Sequence, residues 1–106
     1  MLRTQHNTWI HLVATVLVIA LGFLFSLTFF EWVAVVLSIG LVWVAEALNT
    51  AVEFLADEVS QDQRELIGKA KDVAAAGVLF AAVSALAVGI LIFAPHLMKL
   101  WDHKHN

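Results

Sequence analysis

The chain has 106 residues, 61% of them hydrophobic and 14% charged, with no cysteine and a formal net charge of −3; its mean hydropathy is +0.87. Soluble domains are about half apolar and a quarter charged, so the composition points to a small integral membrane protein. It excludes a disulfide frame and a thiolate metal site, and the weak negative charge gives no basis for nucleic-acid binding.

The first apolar run covers residues 9–28 and follows Arg3, an arrangement that superficially matches a signal peptide. The run is about one full bilayer span, and no small-x-small cleavage site closes it before Phe29, so it reads as a retained transmembrane helix. Residues 29–31 then form a short connection to a second apolar run over 32–55. A polar stretch from Asp57 to Asp72 follows, with Ser60 as a plausible N-cap and Glu65 near the restart of the helix. A third run covers 73–94, ahead of the single proline, Pro95.

Each run approaches the ~20 residues that cross a bilayer core as a helix, and an open sheet would leave backbone groups unpaired in lipid. The expected fold is therefore all-α: one domain, residues 1–106, built as a three-transmembrane-helix bundle. Arg3, Arg64, Lys69 and Lys71 fall on the side of the amino terminus, against Lys99 and Lys104 on the other side. The positive-inside rule then puts the N-terminus and the second connection in the cytoplasm. Gly77, Ala81, Ala85 and Gly89 form a small-residue seam suited to close helix packing, within the chain or between subunits.

The second run carries carboxylates where lipid should surround it. At about 100° per residue, Glu46, Asn49, Thr50, Glu53 and Asp57 occupy one stripe about 100° wide. Glu53 and Asp57 lie near the cytoplasmic end, and Glu46 lies ~10 Å deeper than Glu53. A charge at the bilayer centre costs at least ~2.5–3.5 kcal/mol and marks a functional site by default. The deep spans offer Glu46 no evident cation, the nearest being Lys71. In a lone subunit the stripe is expected to face lipid, which favours an oligomer that encloses it.

Lys71 and Asp72 stand where the third run enters the membrane, level with Glu53 and Asp57. Carboxylates suit Mg²⁺, which is commonly held by one or two of them plus substrate phosphates. A lysine supplies a point charge to phosphate. A deep carboxylate is placed to take a proton from a hydroxyl carried in lipid. These are the parts of a phosphoryl-transfer site, with ATP arriving from water and an alcohol from the membrane. No GxxxxGK[ST] loop is present, so this is not a P-loop arrangement. A small proton- or cation-coupled carrier using Glu46 and Glu53 is the alternative, but it leaves Lys71 and Asp72 without a task. A non-catalytic membrane subunit is a second alternative. Among the histidines, His6 and His11 flank the start of the first span, while His96, His103 and His105 fall on the far side. The tail from His103 to Asn106 reads as solvated.

The motifs EALNTAVE, Glu46–Glu53, and GKAKDVAAAGVL, Gly68–Leu79, resemble those of the prokaryotic diacylglycerol kinase and undecaprenol kinase family of small membrane-embedded lipid kinases. The resemblance implies a homotrimer in the bacterial inner (cytoplasmic) membrane, with active sites between subunits on the cytoplasmic side. It also implies MgATP as donor and a lipid alcohol, diacylglycerol or undecaprenol, as acceptor. By position, Glu46 matches the family's general base and Glu53 its metal-binding carboxylate, which also contacts ATP. Lys71 and Asp72 match an ATP-binding pair, and Asp62, Gln63 and Arg64 fall in the nucleotide-contacting loop. Asn7, His11, Asn49 and Ala75 match positions lining the substrate site. A metal-binding family glutamate aligns with Gln5, whose carbonyl can ligate a metal or orient its water without contributing charge. The family also opens with an amphipathic surface helix, of which this sequence is expected to carry only the end.

Overall fold

The computed structural model describes residues 2–59 and 65–105, with side chains described for 8–59 and 65–102. The described chain is all helical, with α1 at Leu2–Leu24, α2 at Phe29–Val59 and α3 at Glu65–His105. The 41 residues of α3 give ~62 Å at 1.5 Å per residue, which matches the 63 Å long axis of the molecule. α3 packs antiparallel along α2, and α1 meets α2 through a short hairpin. The start of α1, the end of α2 and the start of α3 therefore share one end of the molecule. The α1–α2 turn lies at the other end with the last turns of α3.

The hairpin turn falls at residues 25–28, not at the expected 29–31. Ser26 adopts a left-handed φ of 54°. The Leu27 amide donates to the Gly22 carbonyl at 3.2 Å and the Ser26 amide to the Phe23 carbonyl at 3.3 Å, which together end α1 as a Schellman motif. Thr28 then caps α2. Its hydroxyl accepts from the Glu31 amide at 3.2 Å, and the Glu31 carboxylate accepts from the Thr28 amide at 2.9 Å. This reciprocal capping box makes Phe29, Phe30 and Glu31 the first turn of α2 instead of a loop. Gly22 is buried because the Trp32 ring lies where a β-carbon would stand, at 2.5 Å from it, so only glycine lets the two helices approach here.

The polar connection is also shorter than its sequence suggested, because α2 runs on to Val59 and α3 already includes Glu65. Asp57 and Lys71 are thus held on rigid helix. The Ser60 N-cap lies outside the described residues. α3 continues through Pro95, past the expected end at residue 94.

Burial inverts the soluble pattern. Among the described residues, the buried apolar ones are Leu27, Val35, Ala56, Ala81 and Ile92, while Phe23, Phe30, Leu37, Phe80 and Leu91 are largely exposed. Water would not tolerate such a surface on a monomer, and lipid solvates it readily. Among the described residues, two helices are long and apolar enough to cross a membrane, Phe29–Val59 and Glu65–Asp102, and α1 adds a shorter apolar stretch, Thr8–Leu24. The buried cluster of Leu27, Val35 and Ile92, with Phe25, Trp32 and Phe93 against it, ties all three helices at the turn end. Glu46, Glu53 and Asp57 of α2 sit towards the opposite end.

Candidate active site

Because α2 is unbroken from Phe29 to Val59, Glu46, Asn49, Glu53 and Asp57 share one face of a rigid rod. Glu46 is only 7% exposed, which overturns the expectation that a single subunit leaves it facing lipid. Its neighbour is also unexpected. His11 of α1 brings Nε2 to 3.8 Å from Glu46 Oε2, an ion-pair distance whenever the imidazole carries its second proton. The deep span therefore does hold a partner for the carboxylate, supplied by a residue that no spacing or charge pattern pairs with it. No charge pattern announces such a contact, since the two residues meet only once the hairpin closes.

His11 is itself held. The Trp43 indole N–H donates to Thr15 Oγ at 3.0 Å, and the Thr15 hydroxyl donates to the His11 carbonyl at 2.7 Å. The Trp43 ring stands edge-on to the imidazole with centroids 6.0 Å apart. Trp43 and Thr15 thus fix α1 against α2 just above Glu46, so Trp43 does more than fill space.

Towards the open end, Asn49 has a buried Oδ1 with no hydrogen-bond partner. It lines a groove of about 650 Å³ between α2 and α3, with Leu48 and Val52 on one wall and Lys69, Val73 and Gly77 on the other. Glu53 follows one turn on and is half-buried. At the mouth, Lys71 Nζ donates to Asp57 Oδ1 at 3.1 Å, with 42% and 68% of the two side chains exposed. A pair so open to solvent is worth ~0–1 kcal/mol, so Lys71 can leave Asp57 for a better anion at little cost. Asp72 and Ala75 are exposed on α3. Lys69 pairs with Glu65 at 3.3 Å along the helix surface.

The structure brings together His11 and Glu46 in one place and Lys71 with Asp57 in another, joined by the face that carries Asn49 and Glu53. Gln5 and Asn7 lie in the first turns of α1 with their side chains outside the described residues, and Asp62, Gln63 and Arg64 lie outside them altogether. Among the described residues, no three histidine or acidic side chains gather into a metal cluster. The oxygen donors of Glu53 and the orphaned Asn49 amide nevertheless suit a hard cation that keeps most of its shell in water and phosphate.

The family model for prokaryotic diacylglycerol kinase matches residues 1–93, which include every one of these side chains. The chain belongs to that family. An undecaprenol kinase of Bacillus subtilis is 39% identical over 95 residues, which cover 90% of this chain and 77% of that protein. A diacylglycerol kinase of Synechocystis is 40% identical over 98 residues, covering 92% of this chain and 56% of its own length. A diacylglycerol kinase of Escherichia coli is 34% identical over 71 residues, covering 67% of this chain and 52% of its own length. The chain thus spans little more than half the length of the diacylglycerol kinases it matches and about three quarters of the undecaprenol kinase. Family membership makes it a lipid kinase and a membrane protein.

Proposed function

We propose that the chain transfers the γ-phosphoryl group of ATP to the primary hydroxyl of a membrane lipid, diacylglycerol or undecaprenol, with Glu46 as general base. The observation that carries this reading is the graded face of α2. A buried carboxylate, Glu46, lies on it ~16 Å from Asp57 along the helix, and Asp57 is where Lys71 waits at the water-facing end. A lipid hydroxyl is delivered at the depth of Glu46, and a nucleotide at the level of Lys71.

In the reaction, the lipid oxygen forms a bond to the γ-phosphorus while the bond to the β-phosphate bridging oxygen breaks and ADP leaves. The hydroxyl proton passes to Glu46. Mg²⁺ bound with the nucleotide would supply positive charge against the phosphates. Glu53 would hold it, with Asn49 and Gln5 orienting its shell. Lys71 replaces its contact with Asp57 by one to phosphate, and Asp72 and residues 62–64 complete the nucleotide's surroundings. Asn7, His11 and Ala75 border the acceptor.

We further assign the chain to the cytoplasmic membrane, with α1 as a third span, the N-terminus and the α2–α3 connection in the cytoplasm, and a homotrimer as the working unit. One feature supports the assembly. Gly77 and Gly89 meet nothing where a β-carbon would stand, which leaves part of the seam on α3 open to a neighbouring helix. Purified protein in mixed micelles with γ-labelled ATP, offered diacylglycerol and undecaprenol side by side, tests the reading. Labelled lipid phosphate is expected from one or both acceptors; none from either would sink it.

A further inference from the structure

Glu46 does not act alone in this fold. We propose that His11 is a positioning residue for it: the imidazole donates through Nε2 to one carboxylate oxygen and leaves the other free to take the acceptor's proton. The inference rests on Glu46 being the base, and it assigns the neighbouring imidazole a role.

Three observations carry it. The first is the approach itself, 3.8 Å between His11 Nε2 and Glu46 Oε2, with the side chains 18% and 9% exposed. That distance is long for a hydrogen bond, as such contacts commonly are before substrate tightens the site. The second is the other ring nitrogen. His11 Nδ1 is buried with no partner, so a proton there would be an unsatisfied donor, whereas a proton on Nε2 points at a carboxylate. Burial thus selects the tautomer that donates to Glu46. The third is the buttress. The Trp43 indole stands edge-on to the imidazole, and its hydrogen bond to Thr15, one turn along α1 from His11, fixes the helix that carries the ring against the helix that carries Glu46.

Among the described residues, no other titratable group competes for this carboxylate. On α3, the stretch from Gly77 to Ala85 that lines the grooves beside Glu46 has none. On α2 the nearest is Glu53, about two turns away, and on α1 the next is His6, more than a turn from His11. Among the described residues, His11 is therefore the titratable group placed to bias how Glu46 presents its oxygens.

Two near-isosteric substitutions separate positioning from packing. In His11→Gln the amide nitrogen falls near the place of Nε2 and keeps the donor to Glu46. In His11→Asn it falls near Nδ1 and cannot reach. His11→Gln is expected to keep kcat within about threefold, and His11→Asn to lower it by about 10–100-fold, the scale seen when an orienting partner is lost, with KM for MgATP unchanged in both. In a Glu46→Gln background, His11→Asn should lower the residual rate no further. Equal rates for the Gln and Asn variants, a raised KM for MgATP in place of a lowered kcat, or additive loss on Glu46→Gln would each overturn the proposal. Glu46→Gln alone guards the premise. If it leaves kcat intact, the assignment of the base fails; if it abolishes turnover while His11→Asn does not, only the positioning role fails.

Discussion

His96 of α3 closes on Glu31 of α2, with Nε2 3.1 and 3.3 Å from the two carboxylate oxygens although the residues are 65 positions apart in sequence. Glu31 has a second task at the same time, since it completes the capping box with Thr28. The turn end is thereby fastened to α3 by a polar clasp, with the Phe25 ring 5.6 Å from the imidazole. An acidic side chain here also complements the positive end of the α2 dipole.

The two tasks can be separated by mutation. Glutamine replaces glutamate well in a capping box, so Glu31→Gln keeps the cap and weakens the contact with His96. Thr28→Ala removes the cap and should cost ~0.5–2 kcal/mol. Thermal unfolding in detergent is expected to fall in both, and a Glu31→Gln/His96→Gln cycle should show coupling of at least ~0.5 kcal/mol. Strict additivity would mean that the clasp contributes nothing.

The hairpin makes opposite demands on two neighbouring positions. Ser26 sits at φ 54°, a conformation that costs an L-residue ~1–2 kcal/mol and glycine almost nothing. Ser26→Gly is expected to raise the unfolding midpoint. Gly22→Ala introduces a favourable helix former, yet its methyl would fall 2.5 Å from Trp32. It should lower the midpoint, whereas Gly40→Ala, which meets nothing within 4 Å, should not. If Gly22→Ala proved neutral, the close approach of α1 to Trp32 would be in error.

How much of this was legible in the sequence differs from residue to residue. The three helices and the shared face of Glu46, Asn49, Glu53 and Asp57 follow from periodicity, which a long helix preserves. The turn was misplaced because Phe29 and Phe30 break the apolar rhythm less than they appear to. The T-x-x-E spacing of Thr28 and Glu31 was the available signal for the true helix start. The burial of Glu46 within one chain was not legible. It depends on the hairpin register that sets His11 beside it, and that register comes from the Schellman turn and the Trp32–Gly22 contact, neither of which a hydropathy pattern encodes.

Lys71 is engaged before any nucleotide arrives, and that contact is expected to be a resting place. Asp57→Asn should leave thermal stability within about 1 kcal/mol, since exposed ion pairs contribute no more. Lys71→Met removes a cation from the phosphates, an interaction of ~1.5–3 kcal/mol, and should raise KM for ATP by about tenfold or more. Initial rates over a range of ATP concentrations measure it. An unchanged KM would remove Lys71 from the nucleotide site.

The division of labour between Glu46 and Glu53 is the sharpest test of the site. Depth separates them: Glu46 is buried beside His11, and Glu53 is half-buried ~10 Å nearer the water-facing end. If Glu46 takes the acceptor's proton, Glu46→Gln preserves shape but abolishes proton acceptance, and kcat should fall by ~10²–10⁴-fold with MgATP affinity nearly intact. If Glu53 binds the metal that accompanies ATP, Glu53→Gln should instead weaken MgATP binding, and raised Mg²⁺ should recover part of the activity. Gln5→Glu adds a carboxylate near the start of α1 and should shift the Mg²⁺ requirement to lower concentration, in the direction opposite to Glu53→Gln. Measuring kcat, KM for MgATP and the Mg²⁺ dependence for all three variants in one micellar system decides the matter. A Glu53→Gln enzyme indifferent to low Mg²⁺, or a Glu46→Gln enzyme altered only in its KM for ATP, would reverse the assignment. The first would leave the metal without its proposed carboxylate, and the second would move Glu46 from the hydroxyl to the nucleotide.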